Sequence, residues 1–416
     1  MERYGADSGS EEQVAEGEER VSAERLPPEL WLRILELATD IVPGAVETET
    51  LDPFQPSAPL PMFEDQAALL RSLAIKRSLV RVCRQWRALA TPFLYRIVIA
   101  KGQQLSLLHR TLIAPDAPDH ADRARSLRKY VLRLFYFLNQ LDHDYDSTNL
   151  AAVILALPNL ISFTLRGGVP TRSRTDPHES VLSALKERGP TLRVLDWVDC
   201  FAFTRSSSQM RELLSDLAEL RILRQGPLPP VTANSTQVSL PKLVVLAFDP
   251  FMSSGSFSPA FDNFASLREL QLQETAEFPY KLPAPVAAQI TQVTIWFSYD
   301  YQAVQDIIRI FPNLRHLVIW YGVWYDLPPN GFSLCNVECL GLGRYGRREV
   351  EDDGVLNEFL DCLSVMDPPK LTLLRFLGTN EWPGWQDECP QTWARFQRLA
   401  GSSKYRIENS LGEVVH

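Results

Sequence analysis

Apolar residues recur along this chain in one three-point spacing: a first position, a second three residues on, and a third two residues beyond. The triplets run Leu127, Tyr130, Leu132; Leu160, Phe163, Leu165; Leu192, Leu195, Trp197; and Leu243, Leu246, Phe248. They continue as Leu267, Leu270, Leu272; Ile290, Val293, Ile295; Leu314, Leu317, Ile319; Val337, Leu340, Leu342; and Leu371, Leu374, Phe376. A shortened copy stands at Leu220 and Leu223, with Gln225 in third place. Between the copies at Leu220 and Val337 the first positions fall 23 or 24 residues apart. Each triplet predicts a short β-strand with alternate residues inward, because side chains alternate faces with period two. Leu270 and Leu317 are then inward, while Glu269 and Arg315 point outward. The residues between triplets predict helices over 178–188, 301–310 and 355–365. The first of these is opened by Asp176 and Pro177 and closed by Gly189.

The triplets resemble the LxxLxL core of leucine-rich repeats, whose period is about 20–29 residues. The expected fold class is α/β: a small all-α unit, then an irregular leucine-rich-repeat-like solenoid of short parallel strands with helices on the convex side. Stacked units bury a continuous core that no single repeat could make. Two departures predict an uneven arc instead of a regular horseshoe. The asparagine that the family carries three residues after the last apolar position is missing, and stretches such as 248–261 are long. The array covers residues 102–390, with a C-terminal cap and tail over 391–416.

Ahead of the array stand two short amphipathic segments. Leu26, Pro27 and Pro28 give a rigid lead-in, since proline fixes φ and bars helix before it. A helix follows with Leu30, Ile34, Leu37 and Ala38 on one stripe. Leu79, Val82, Cys83, Trp86 and Leu89 repeat the pattern. Neither helix can bury its stripe alone, so each needs the other or a partner. The LPxEL opening at Leu26 and the VCxxW segment at Val82 resemble an F-box, closed by Thr91, Pro92 and Phe93. Residues 25–101 make up this unit, with a Pro- and acid-rich insert at about 40–63. The layout is similar to that of fungal-type F-box proteins with leucine-rich repeats.

That resemblance implies a substrate-recognition subunit of an SCF-type (Skp–cullin–F-box) E3 ubiquitin ligase, with no catalysis by this chain. A Skp-type adaptor would meet Leu26, Pro27, Leu30, Ile34 and Leu35 from the first half. Val82, Cys83 and Trp86 would serve in the second, Trp86 more as core than as contact. The solenoid would hold an unidentified target protein. A leucine-rich-repeat scaffold without ligase coupling is the alternative, and a cofactor-binding enzyme is a third reading.

Charge bears on the partners. The formal net charge of −9 argues against nucleic acid, which requires a basic face. Residues 1–24 form an acidic tail expected to be disordered. Residues 40–65 carry six acids and no Lys or Arg, whereas 71–101 carry eight bases and no acid, a fit to an acidic adaptor. The N-terminus lacks the apolar core of a secretory signal. The longest apolar run, 150–161, is broken by Pro158 and Asn159 and is too short to span a bilayer, so no membrane partner is expected. Six scattered cysteines read as reduced thiols of a cytoplasmic or nuclear protein.

Other candidate chemistry is thin. Gly341, Gly343 and Gly346 match the spacing of a dinucleotide loop, but Gly354 and a run of charges stand where its helix should begin, which suggests a loop at a repeat edge. Asp142, Asp144 and Asp146 mimic a calcium loop without its later ligands and read better as a helix-capping turn. Cys335 and Cys339 have no histidine nearby and read as strand cysteines, so no metal and no cofactor are expected. The residues just past the strands are richer: Trp296, Trp320, Tyr321, Trp324, Tyr325, Arg344, Arg347 and Arg348. Trp, Tyr and Arg dominate interface hot spots, so these mark an expected target-binding rim.

Overall fold

The computed structural model describes residues 26–39, 54, 63–113, 118–138, 146–166, 179–197, 207–225, 238–248, 264–272, 282, 284–298, 301–321, 331, 333–344, 353–366, 368–377, 389–410 and 412–415. Three helices come first: α1 (Pro28–Thr39), α2 (Phe63–Val82) and α3 (Arg84–Tyr95). Strands and helices then alternate. The strands are β1 (Ile97–Lys101), β2 (Arg133–Phe137), β3 (Ser162–Arg166), β4 (Val194–Trp197), β5 (Ile222–Gln225) and β6 (Val245–Phe248). They continue with β7 (Glu269–Leu272), β8 (Gln292–Ser298), β9 (His316–Tyr321), β10 (Cys339–Arg344), β11 (Leu373–Leu377) and β12 (Arg406–Glu408). Between them stand α4 (Gln104–Leu112), α5 (Pro118–Tyr130), α6 (Ser147–Ala156), α7 (Glu179–Glu187) and α8 (Ser207–Asp216). Further on come α9 (Ala284–Ala287), α10 (Tyr301–Ile310), α11 (Asp353–Val365) and α12 (Pro390–Ser402).

The strands form one parallel sheet in unbroken sequence order from β1 to β12, which is the solenoid topology the triplets predict. Its register sets the middle triplet residues in one row across the sheet. The row passes from Leu134 through Phe163, Leu195, Leu223, Leu246 and Leu270. It continues through Val293, Leu317, Leu340, Leu374 and Ile407. All are buried, and they share one core with the apolar faces of α4, α6, α7 and α8 and the residues of α10 to α12. Because each strand is short, its own two inward side chains bury little; the row as a whole makes the core.

Four local readings change. Leu127, Tyr130 and Leu132 are not a strand triplet, since α5 runs to Tyr130; Val131, Leu134 and Tyr136 hold those positions, and all three are buried. β1 lies within residues 25–101 and opens the sheet, and β12 closes it from within 391–416. Gly341 and Gly343 lie inside β10, not in a loop after it, while Gly346 lies outside the described residues. Cys339 begins β10, but Cys335 is exposed and outside any strand.

The missing asparagines have a substitute one residue before the first apolar position. Asn159, Asn313 and Asn336 donate their side-chain N–H to Lys129, Ala288 and Pro312 carbonyls of the preceding repeat, at 2.8, 2.7 and 2.9 Å. Asp146 accepts from the Asn149 amide at 2.9 Å and caps α6, in line with a capping turn. Asp176, Pro177, Asp142, Asp144 and the stretch 249–263 lie outside the described residues.

Candidate functional site

Two surfaces stand apart from the core. The first is on the three-helix unit. Leu35 and Thr39 are the buried residues of α1, and Trp31 packs its ring against Trp86 of α3 at 5.2 Å between centroids. Ser72 of α2 donates to the Thr39 carbonyl at 2.6 Å, pinning the end of α1. Cys83 sits between α2 and α3 and caps the latter: its sulfur accepts from the Trp86 amide at 3.4 Å. Leu35 therefore holds the unit together and is only 2% exposed, so it is no contact residue, contrary to the sequence expectation. Trp86 is half-buried.

With Leu35 turned in, the stripe of α1 turns out. Leu30, Ile34 and Leu37 are 50%, 44% and 66% exposed, and Leu26 and Pro27 ahead of them are exposed too. Val82 at the end of α2 is 61% exposed, and Leu70 and Ile75 on the same helix are also open. Arg71, Arg77, Arg81, Arg84 and Arg87 stand exposed among them. Soluble chains seldom leave large side chains at helix spacing in water without a use for them.

The second surface is the sheet face opposite the helices. In one register row it carries Thr164, Asp196, Arg224, Ala247, Gln271, Thr294, Val318, Gly341, Arg375 and Glu408. Asp196 and Arg224 pair across β4 and β5 at 3.4 Å, both buried. Arg375 reaches Glu408 twice, at 2.9 and 2.7 Å. Glu269 is also buried here and accepts from Gln271 at 2.7 Å, so pointing away from the core has not put it in water.

Trp296 and Trp320 belong to this face and not to a rim beyond the strands. β8 extends past its triplet to Ser298, and period two sends Trp296 to the side opposite Ile295. The two indoles stack at 5.1 Å between centroids, 6° from parallel. Gly343 makes room for them, since a Cβ there would stand 2.5 Å from the Trp320 ring. Tyr321 and Arg344 end β9 and β10 as register partners. Trp324, Tyr325, Arg347 and Arg348 lie outside the described residues.

The residue that sequence reasoning missed is Phe54. It belongs to the insert between α1 and α2, yet it packs against Val318 of β9 and Leu377 of β11, with Trp320, Cys339 and Leu373 around it. The Arg375 guanidinium lies over its ring, 4.4 Å from the centroid. The only signal was a lone aromatic residue, flanked by Pro53 and Pro56, in an otherwise acidic and Pro-rich stretch.

Among the described residues no group of three His, Cys, Asp or Glu side chains could hold a metal ion, and no helix is long and apolar enough to cross a membrane. No protein-family model matches the chain, and no curated protein matches it. Among solved structures, the crystal structure of the Rad7 and Elc1 complex in yeast is similar at 13% identity over 77% of this chain and 94% of that chain, with a TM-score of 0.25. So distant a likeness says nothing of this chain's partners, which have to be read from its own surfaces.

Proposed function

We propose that this chain is the substrate-recognition subunit of an SCF-type E3 ubiquitin ligase. The three-helix unit docks a Skp-type adaptor, and the solenoid holds a target protein. The supporting observation is the uncovered apolar line of Leu26, Leu30, Ile34 and Leu37, with Val82 on α2. Burying such surface against a partner returns about 25 cal/mol per Å². The exposed arginines of α2 and α3 favour an acidic adaptor and quicken its approach. Ubiquitin transfer itself falls to other subunits, and no residue of this chain is assigned a catalytic role.

Co-purification tests the reading. Tagged chain should capture a Skp-type adaptor. Leu26→Ala with Pro27→Ala should weaken capture by about 1–3 kcal/mol, and Leu30→Asp with Ile34→Asp should abolish it, since charges would replace the centre of the patch. Unchanged capture by both variants would remove the ligase coupling and leave an interaction scaffold.

A further inference from the structure

We propose that the edge of the solenoid at which the strands begin is a docking line for an acidic, carboxylate-rich segment of the target protein. This rests on the reading of the solenoid as the target-holding half, and adds where and by what chemistry it holds. The line follows from the repeat. The residue after the first apolar position of each triplet donates its amide N–H to the carbonyl of its counterpart in the preceding repeat. Arg221 donates to Arg193 at 2.8 Å, Val244 to Arg221 at 2.8 Å and Arg268 to Val244 at 3.0 Å. Thr291 continues to Arg268 at 3.0 Å, and Arg315 to Thr291 at 2.9 Å. These residues therefore stand in single file from β4 to β9, a line of about 24 Å at about 4.8 Å per strand. Arginine holds the places at 193, 221, 268 and 315, and Lys242 stands beside Val244, so only the Thr291 repeat lacks a cation.

These cations face water, unlike the charges within the sheet face, where Asp196 pairs with Arg224 and Arg375 with Glu408. Arg221, Lys242, Arg268 and Arg315 are exposed, and Arg193 is half-buried. Like charges on neighbouring strands repel, and the carboxylates along the line do not offset them. Glu219 is held by Lys242 at 2.6 Å, and Glu338 stands 3.8 Å from Arg315. Arg193, Arg221 and Arg268 reach ion-pair distance of no carboxylate among the described residues. Glu219 shows how the line treats a carboxylate. Its hydrogen bond from Lys242 holds the carboxyl below the ordinary 4.5; burial opposes, and the charges of Lys242, Arg193 and Arg221 add to the lowering. Each free guanidinium fork can take one further carboxylate by two parallel bonds. An extended segment of about seven residues spans the line. Nucleic acid is the poorer guest, because a file one cation wide neutralises few phosphates and a chain of net charge −9 repels the rest.

The test uses the full chain and two fluorescein-labelled probes. One is a Glu/Gly/Ser peptide of about ten residues with Glu at alternate positions, and the other a single-stranded oligodeoxynucleotide of equal extended length. Fluorescence anisotropy should show saturable peptide binding that weakens by about tenfold as salt rises from about 0.05 M to about 0.5 M. Arg221→Gln with Arg268→Gln and Arg315→Gln should weaken it by about tenfold at low salt, and Glu at the same places should abolish it. All three side chains are exposed, so the variants should melt as wild type does; if the Glu variant does not fold, the Gln variant decides. Arg71→Gln with Arg77→Gln and Arg81→Gln removes the same charge from α2 and should leave peptide affinity unchanged. No saturable binding to wild type overturns the proposal, as does equal weakening by the two Gln variants, or tighter binding of the oligonucleotide than of the peptide. Adaptor capture is the separate readout, and the Arg221, Arg268 and Arg315 variants should keep it. If wild type captures no adaptor while the peptide binds, the ligase reading fails and the docking line stands; adaptor capture without peptide binding removes the line alone.

Discussion

Leu317→Ala should be among the costliest single truncations in this chain, and the cost can be worked from its place in the sheet. Leu317 is fully buried and lies in the middle row between Val293 of β8 and Leu340 of β10. Truncation removes three carbons, worth about 0.8 kcal/mol each in lost burial, or about 2.4 kcal/mol together. The cavity left between two packed repeats adds to this, giving a total of about 2–5 kcal/mol. Arg315, two residues earlier, is the control. Its side chain is 63% exposed and stands 3.8 Å from Glu338, so Arg315→Ala should cost under about 1 kcal/mol. Urea denaturation measures both, as a midpoint shift at constant slope. A change of slope would show the array melting in parts, which a chain of nearest-neighbour repeats permits. Equal shifts for Leu317→Ala and Arg315→Ala would refute the register on which the fold rests.

Gly343→Ala should destabilise by about 1–3 kcal/mol, because the new methyl would displace the Trp296–Trp320 stack; a shifted tryptophan emission spectrum is its signature. Stability should also fall on mild acidification through His316. Burial, with Arg315 adding and Glu338 opposing, holds His316 below its ordinary value of 6.5, so the unfolded chain takes up the proton first. Its contribution is therefore complete above pH 6.5 and lost below it, and His316→Gln should flatten that part of the profile in thermal melts at stepped pH. Burial pushes the Cys362 thiol up to about 11, whereas Cys83 and Cys335 are exposed. Iodoacetamide at pH about 8 should alkylate Cys83 and Cys335 in the native chain and reach Cys362 only after denaturation, as read by peptide mass spectrometry.

What the sequence revealed and what it hid follow from the range of the interactions. The middle-row leucines were legible because each repeat must supply the same inward residue to its neighbour, so the signal is written many times over. The copy at Leu127 was misread because an amphipathic helix and the start of a strand can offer the same spacing for a few residues; α5 ends at Tyr130, and the strand triplet starts one residue later at Val131. Leu35 and Ile34 are neighbours on one helix, and only the position of α3 decides which is buried. Trp296 and Trp320 were placed on a rim because the triplet rule ends a strand at its third apolar residue, whereas β8 and β9 both run further. Glu269 was expected in solvent, yet the second sheet face buries it beside Gln271. Phe54 was invisible for a different reason: its partners are in β9 to β11, far along the chain, and no local pattern announces so distant a contact.

A direct titration of the purified chain with a Skp-type adaptor tests the central claim, that one end recruits the ligase while the other holds the target. Isothermal calorimetry should give a tight complex for wild type and an unchanged one for Phe54→Ala, whose ring packs against the solenoid strands and away from the α1 stripe. It should show no measurable heat of binding for Leu30→Asp with Ile34→Asp, although that variant keeps the wild-type circular dichroism spectrum. A double variant that binds the adaptor as wild type does, or a wild-type chain that does not bind it, would contradict the account.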